Sequence, residues 1–155
     1  MAITQAMCTS FKQEVMLSMH NFHPTGSSAA STFKLALYSS GATLNASTTG
    51  FVTAGECVGT NYVATGFALT VVGVTSGSTS GFVDFSDLTF LNVTLAADGA
   101  LIYNSTPFTS NNAGTTLTNA AVAVLDFGGS KAATAGDFTI VFPAATSAAA
   151  IIRIA

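Results

Sequence analysis

Residues able to do chemistry are few in this chain: two histidines, two cysteines and seven carboxylates among 155 residues. His20 and His23 have a spacing that lets two imidazoles share a metal on a helix. Asn21 and Pro24, however, put His23 at or past a helix end, and nothing in the sequence nominates a third ligand. A nucleophile–base pair would need Cys8 or a serine beside one of these histidines, with a carboxylate to orient it. Cys8 lies about three helical turns from His20, and no Gly-x-Ser-x-Gly elbow occurs. Both histidines are expected as surface residues near a helix end, where His20 suits the negative end of the dipole.

The carboxylates and glycines offer little more. Asp84 and Asp87 flank Phe85-Ser86, and a carboxylate pair could do glycosidase-type acid–base work. The plainer expectation is that Asp84 faces water on an alternating strand, where it discourages stray edge pairing, and that Asp87 opens the next turn. Asp126 and Asp137 read the same way. Gly128-Gly-Ser-Lys131 lacks the spacing and the following helix of a phosphate-binding loop. Asn45, Asn92 and Asn104 head Asn-x-Ser/Thr triplets, chance matches in a Ser/Thr-rich chain with no secretion signal. The expectation is a protein that is not an enzyme and uses no metal and no cofactor.

The elements that would position these residues are one helix and a series of strands. Ser10 with Gln13 three residues on forms a capping-box pattern, and Phe11, Val15 and Met19 recur at helical spacing, with Met16 and Leu17 broadening the apolar side. A helix is expected from about Ser10 to His20, stopped by Pro24 and Gly26, with Lys12 and Glu14 on its polar side. After residue 30 the chain alternates. Phe33, Leu35 and Leu37 share one face of Thr32–Tyr38. Further strands are expected at Tyr62–Val72, Gly81–Phe85, Leu88–Leu95, Ala100–Asn104, Ala121–Phe127, Asp137–Phe142 and Ala149–Ile154. The apolar phase shifts between Phe90 and Leu91, which predicts a bulge. Turn signals stand at Gly73, Ser76-Gly77, Asp98-Gly99 and Gly128-Gly129.

About eight short strands with regular turn signals argue a single all-β domain, a jelly-roll-like β-sandwich or a barrel. The expected organisation is an N-terminal arm with a short helix, residues 1–30, and a β domain, residues 31–155.

Composition narrows the function classes. Hydrophobic residues make up 49% of the chain and charged residues only 7%, against about 25% charged in an ordinary soluble domain. Mean hydropathy is +0.56 and the pI near 4.9. Four basic residues against seven acidic ones leave no electrostatic footprint for nucleic acid. A membrane-spanning helix needs about 18 consecutive apolar residues, and stretches such as Asn119–Leu125 are far shorter. Cys8 and Cys57 are too few for a disulfide framework and are expected as reduced thiols in a protein made in a cytoplasm. The shortage of charge predicts burial against other subunits, because interface cores are depleted of Lys, Glu and Asp.

Several stretches are familiar as a set: Thr4–Glu14 followed by His20-Asn-Phe22; Phe33-Lys-Leu-Ala-Leu-Tyr38; Gly59-Thr-Asn-Tyr-Val-Ala-Thr-Gly66; and Ala123-Val-Leu-Asp-Phe-Gly128 with Thr134–Thr139 and the ending Ala150–Ala155. Together, over nearly the whole chain, they resemble a family of small structural proteins of tailed bacteriophages, cyanophage-type viruses included. The motifs carry no chemistry, and no family catalytic residue is carried over.

The resemblance implies a capsid decoration (cement) protein on the virion surface, made in the host bacterial cytoplasm, that clamps neighbouring major capsid subunits. A homo-oligomer is expected, a trimer ahead of a dimer, with Phe11, Val15 and Met19 as candidate contacts to the capsid or a sister subunit. The alternatives are a tail or head fibre component that binds a host receptor, against which the absence of Trp leans, and a small hydrolase, which would need a perturbed carboxylate.

Overall fold

The structure, a computed structural model, describes residues 2–23, 30–109 and 116–155. Eleven elements follow one another: β1 (Ala6–Met7), α1 (Thr9–Met16), β2 (Phe33–Tyr38), β3 (Phe67–Ala68), β4 (Val71–Gly77), β5 (Ser80–Phe85), β6 (Leu88–Asn104), β7 (Phe108–Thr109), β8 (Thr116–Leu117), β9 (Ala120–Ile140) and β10 (Ile152–Ile154). The fold is all-β with one short helix, as composition and alternation predict. A five-stranded sheet runs in the order β1-β9-β6-β2-β3 and a three-stranded sheet in the order β10-β5-β4, with β7 and β8 as a separate small hairpin. The sheets are not closed into a barrel.

The frame of the molecule is the β6–β9 ribbon, two long antiparallel strands that run from Leu88↔Ile140 to Asn104↔Ala120. Four expected strands are fused into these two. Asp98-Gly99 does not turn the chain: a Cβ on Gly99 would lie 2.4 Å from the Leu125 carbonyl oxygen, so glycine serves close strand approach at that point. Gly128 and Gly129 do take positive φ, at 67° and 127°. They bulge Phe127–Ser130 out of the ladder opposite Asp98 and leave the strand direction intact. Gly128 N–H donates to Asp126 Oδ1 at 2.8 Å, closing this local loop.

The bulge expected after Phe90 is present. Leu91 and Asn92 together oppose Asp137, Asn92 has φ 50°, and its N–H bonds Asp137 Oδ1 at 2.9 Å. Phe90 is buried, Leu91 is 66% exposed and burial resumes at Val93, so the extra residue keeps the apolar set on the buried side while its phase in the sequence shifts.

The strand expected over Tyr62–Val72 is instead turns followed by two strands. Turn bonds run from Tyr62 N–H to Gly59 O and from Gly66 N–H to Val63 O, and Leu69 N–H then bonds Phe33 O. Gly66 decides the path. At φ 68° its hypothetical Cβ would fall 1.8 Å from Leu35 O, so only glycine lets the chain cross β2 that closely.

Helix α1 is shorter than expected, Thr9–Met16 in place of Ser10–His20, and Cys8 rather than Ser10 is its N-cap. Tertiary bonds overrule the capping box here. Cys8 N–H bonds Val122 O and Thr9 N–H bonds Ala46 O, while the Ser10 hydroxyl is enclosed without a partner among the described residues. Ser18, with φ 58°, ends the helix, ahead of the expected stops Pro24 and Gly26, which lie outside the described residues.

The N-terminal segment is built into the domain. β1 pairs with β9 through Ala6↔Val124 and Met7↔Ala123, and Cys8, Phe11 and Met19 are buried with the core of β2, β6 and β9. Every residue from Leu35 to Tyr38 in β2 is buried, so both faces of that central strand are covered. The irregular segment from Ser39 to Gly66 is one cover, with Tyr38↔Glu56 and Thr60↔Thr94 as isolated bridges.

Candidate functional site

The two residues most able to do chemistry, His20 and Glu14, meet each other under a lid of aromatic rings. His20 Nε2 lies 2.7 Å from Glu14 Oε2, with the imidazole side chain fully buried and the carboxylate 8% exposed. His20 Nδ1 lies 3.0 Å from Asn104 Nδ2 at the end of β6. Asn104 Oδ1 accepts the N–H of Thr106 at 3.0 Å, which turns the amide NH2 toward the imidazole. Nδ1 is therefore an acceptor, and the ring is neutral with its proton on Nε2, donated to Glu14.

The rings of Phe11, Phe33 and Phe22 surround His20 at centroid distances of 4.9, 6.3 and 6.4 Å. Burial pulls the His20 pKa below its ordinary value and outweighs the opposing hydrogen bond and charge of Glu14. His20 is thus not a surface residue, and Glu14, 6% exposed, is not on a polar helix face. The arrangement fills every hydrogen-bonding position of the imidazole with protein, and no face of the ring is open to a substrate.

A second polar cluster has Glu56 at its centre. Its Oε1 accepts the Tyr62 hydroxyl at 3.0 Å and the Thr65 N–H at 2.6 Å. The Tyr62 oxygen in turn accepts Leu37 N–H at 3.0 Å. Tyr103 donates its hydroxyl to Thr65 O at 2.7 Å, and Lys34 Nζ donates to Thr65 Oγ1 at 2.6 Å. Burial raises the Tyr62 and Tyr103 pKa values, so both hydroxyls stay protonated as donors. The cluster fastens the Ser39–Gly66 segment onto β2 and β6. Sequence reasoning misses it, although the Gly59–Gly66 motif contains two of its members.

The expected carboxylate pair is a set of backbone anchors. Asp84 does not face water: it is 1% exposed, because the β10-β5-β4 sheet and the chain before β10 enclose it. Its Oδ1 accepts Phe85 N–H at 2.9 Å and its Oδ2 accepts Ile151 N–H at 3.3 Å. Burial raises its pKa, opposed by these two bonds. Asp87 Oδ1 accepts Phe142 N–H at 2.8 Å. The two aspartates hold successive points of the C-terminal stretch onto the sheet.

Cys8 and Cys57 are free and buried, and burial pushes their thiols to about 11 and about 12 respectively. Such thiols carry almost no thiolate at neutral pH. Among the described residues, no group of three His, Cys, Asp or Glu could hold a metal ion, and no helix is long and apolar enough to cross a membrane.

The outer surface differs from the expected contact stripe. Phe11 is 1% and Met19 4% exposed, turned into the protein's own core, and Val15 is half-buried. The helix instead presents Met16, 79% exposed, and Leu17, 57% exposed. Met16 lines a groove of about 350 Å³ between α1 and β10 with Met7, Phe11, Lys12, Val15, Arg153, Ile154 and Ala155. An adjoining apolar cleft of about 210 Å³ shares Phe11, Val15 and Ile154 and continues along β4 and β5 to Val74. Val74 and Ile154 are themselves 54% and 61% exposed. Comparison with family models, with curated proteins and with solved structures returns no match.

Proposed function

We propose that this protein is a structural subunit of a phage particle, a decoration protein that binds neighbouring major capsid subunits as a homo-oligomer and stabilises the head. The observation that carries the reading is the apolar surface running from Met16 over Ile154 to Val74, on a chain with only 7% charged residues. A contiguous exposed apolar patch marks an interaction surface on a soluble protein. The family resemblance of the sequence names the kind of partner. The buried polar side chains His20, Glu14 and Asp84, and the half-buried Glu56, hold the chain together, which suits a role built on shape and contact.

Attachment through such a surface is mainly apolar. It should survive moderate salt, unlike a charge-driven contact, which weakens as the Debye length shrinks. Symmetric oligomers that touch several capsid subunits gain avidity from effective concentration, so each contact needs only modest affinity.

The test is a binding assay with purified protein and particles that lack it. Wild-type protein should sediment with the particles at roughly half-molar NaCl and raise the temperature at which they burst. Met16→Asp and Ile154→Asp should fold but fail to bind. Release of the wild-type protein by salt, or an unchanged bursting temperature on saturation, would contradict the reading.

A further inference from the structure

We propose that His20 is an acid-sensitive latch that holds the N-terminal segment, residues 2–23, against the β-sheets and releases it on protonation. The latch spans two parts of the chain 84 residues apart, His20 after α1 and Asn104 at the end of β6. Its direction is fixed by the Asn104 amide. With Oδ1 committed to Thr106 N–H, the amide presents only hydrogens to Nδ1. A proton on Nδ1 would then face the NH2 group donor to donor, and either the Thr106 bond or the Asn104 contact must break.

Among the described residues, few groups face the ring. Glu14 comes from α1, Asn104 from β6 and Phe33 from β2, with Phe11 and Phe22 from the segment itself. Glu14 is the titratable group among them, and its charge favours the imidazolium. The fully enclosed site disfavours it more strongly, so the folded protein resists the proton.

The segment also has little secondary structure of its own. β1 contributes two ladder pairs to β9, and α1 has eight residues, below the roughly 12–15 at which an isolated helix becomes marginally stable in water. Its position depends on tertiary contacts: backbone bonds from Thr4, Cys8 and Thr9 to Leu44, Val122 and Ala46, and the enclosed His20 network, which is the side-chain tie that a proton can break. Release uncovers Phe11, Phe33 and the thiol of Cys8, all now buried. Acid thereby converts a closed protein into one with a free N-terminal segment and an exposed aromatic cleft.

Two single-thiol variants of the full chain test this. In Cys57→Ala the remaining thiol, Cys8, reports the segment; in Cys8→Ala the remaining thiol, Cys57, reports the seat of the Ser39–Gly66 cover on β6, where its Sγ donates to Ala96 O at 3.1 Å. Labelling by dithiodipyridine is followed from pH 7.5 to 5.0 and normalised to the same variants in denaturant. Cys8 should label several-fold faster at the acid end, while Cys57 stays protected.

His20→Gln should flatten the Cys8 response. So should Asn104→Asp, which gives the imidazolium a second carboxylate and lets it remain in place. In His23→Gln, which leaves one histidine, NMR should find the His20 proton on Nε2 and a titration midpoint below 6.5. A midpoint at or above 6.5, a pH-independent Cys8, or Cys57 labelling in parallel with Cys8 would overturn the proposal.

Discussion

Replacing Phe11 with alanine separates a core residue from a docking residue on one helix. Phe11 is 1% exposed, its ring 4.9 Å from that of His20 and 6.0 Å edge-on to Phe22. Truncation removes the ring from a packed site and leaves a void that the short helix can only partly close. Phe→Ala in a core costs about 3–5 kcal/mol. For a chain of this size, 1 kcal/mol moves the melting temperature by about 2–4 °C. Phe11→Ala should therefore melt about 6–20 °C below wild type by far-ultraviolet circular dichroism, with a parallel fall in the urea midpoint. Met16→Ala, on the same helix but 79% exposed, should stay within about 0.5 kcal/mol of wild type and weaken particle binding instead. A Phe11→Ala protein that melts within about 2 °C of wild type would refute the placement of this helix, and with it the proposal that Met16 and Ile154, rather than Phe11 and Met19, make the contact.

Other consequences can be checked on the isolated protein. Gly66→Ala adds a Cβ onto the Leu35 carbonyl at positive φ, whereas at Gly128, φ 67°, nothing lies within 4 Å; the first should cost about 3 kcal/mol or more and the second only about 1–2 kcal/mol, read by urea unfolding. Tyr62→Phe strips an acceptor from Leu37 N–H and a donor from Glu56 and should cost about 1–3 kcal/mol, with faster amide exchange confined to the Ser39–Gly66 segment. Because burial holds His20 below its ordinary pKa, the unfolded chain binds a proton that the folded chain refuses, so unfolding free energy should fall as pH drops from about 6.5 toward the folded value. His20→Gln should remove that slope. Asp84, raised in the fold, acts in the opposite sense closer to its own range: there the folded state takes up the proton first.

Local pattern carried the all-β class, and particular residues show where it stopped. Strict alternation in Phe33–Tyr38 and the phase break after Phe90 are properties of neighbouring residues, so β2 and the β6 bulge were legible. Gly128 and Gly129 do take positive φ, in a bulge, but Gly99 only looks like a turn, because glycine marks both a turn and a close approach. Only the partner strand, with Leu125 O against Gly99, distinguishes the two. The helix starts ahead of Ser10 for a similar reason: Val122 and Ala46, far along the chain, accept the N–H groups of Cys8 and Thr9, and Lys12 N–H bonds Cys8 O.

The polar clusters were least legible. His20 is conspicuous by type, but its partners lie 6 and 84 residues away, and no spacing rule joins them. Asp84 alternates as a solvent-facing residue would, and it is the chain before β10, folding back to donate Ile151 N–H, that buries it. The helix stripe misled in the other direction: an apolar residue at helical spacing points to a packed face without saying whether the packing lies inside the domain or outside it.

The copy number of this chain in purified particles tests the central claim most directly. Quantitative mass spectrometry against the major capsid subunit should give hundreds of copies per particle in a fixed ratio to that subunit, as decoration of repeated, symmetry-related capsid sites requires. A handful of copies per particle would assign the chain to a tail or fibre, and complete absence from particles would contradict a virion role.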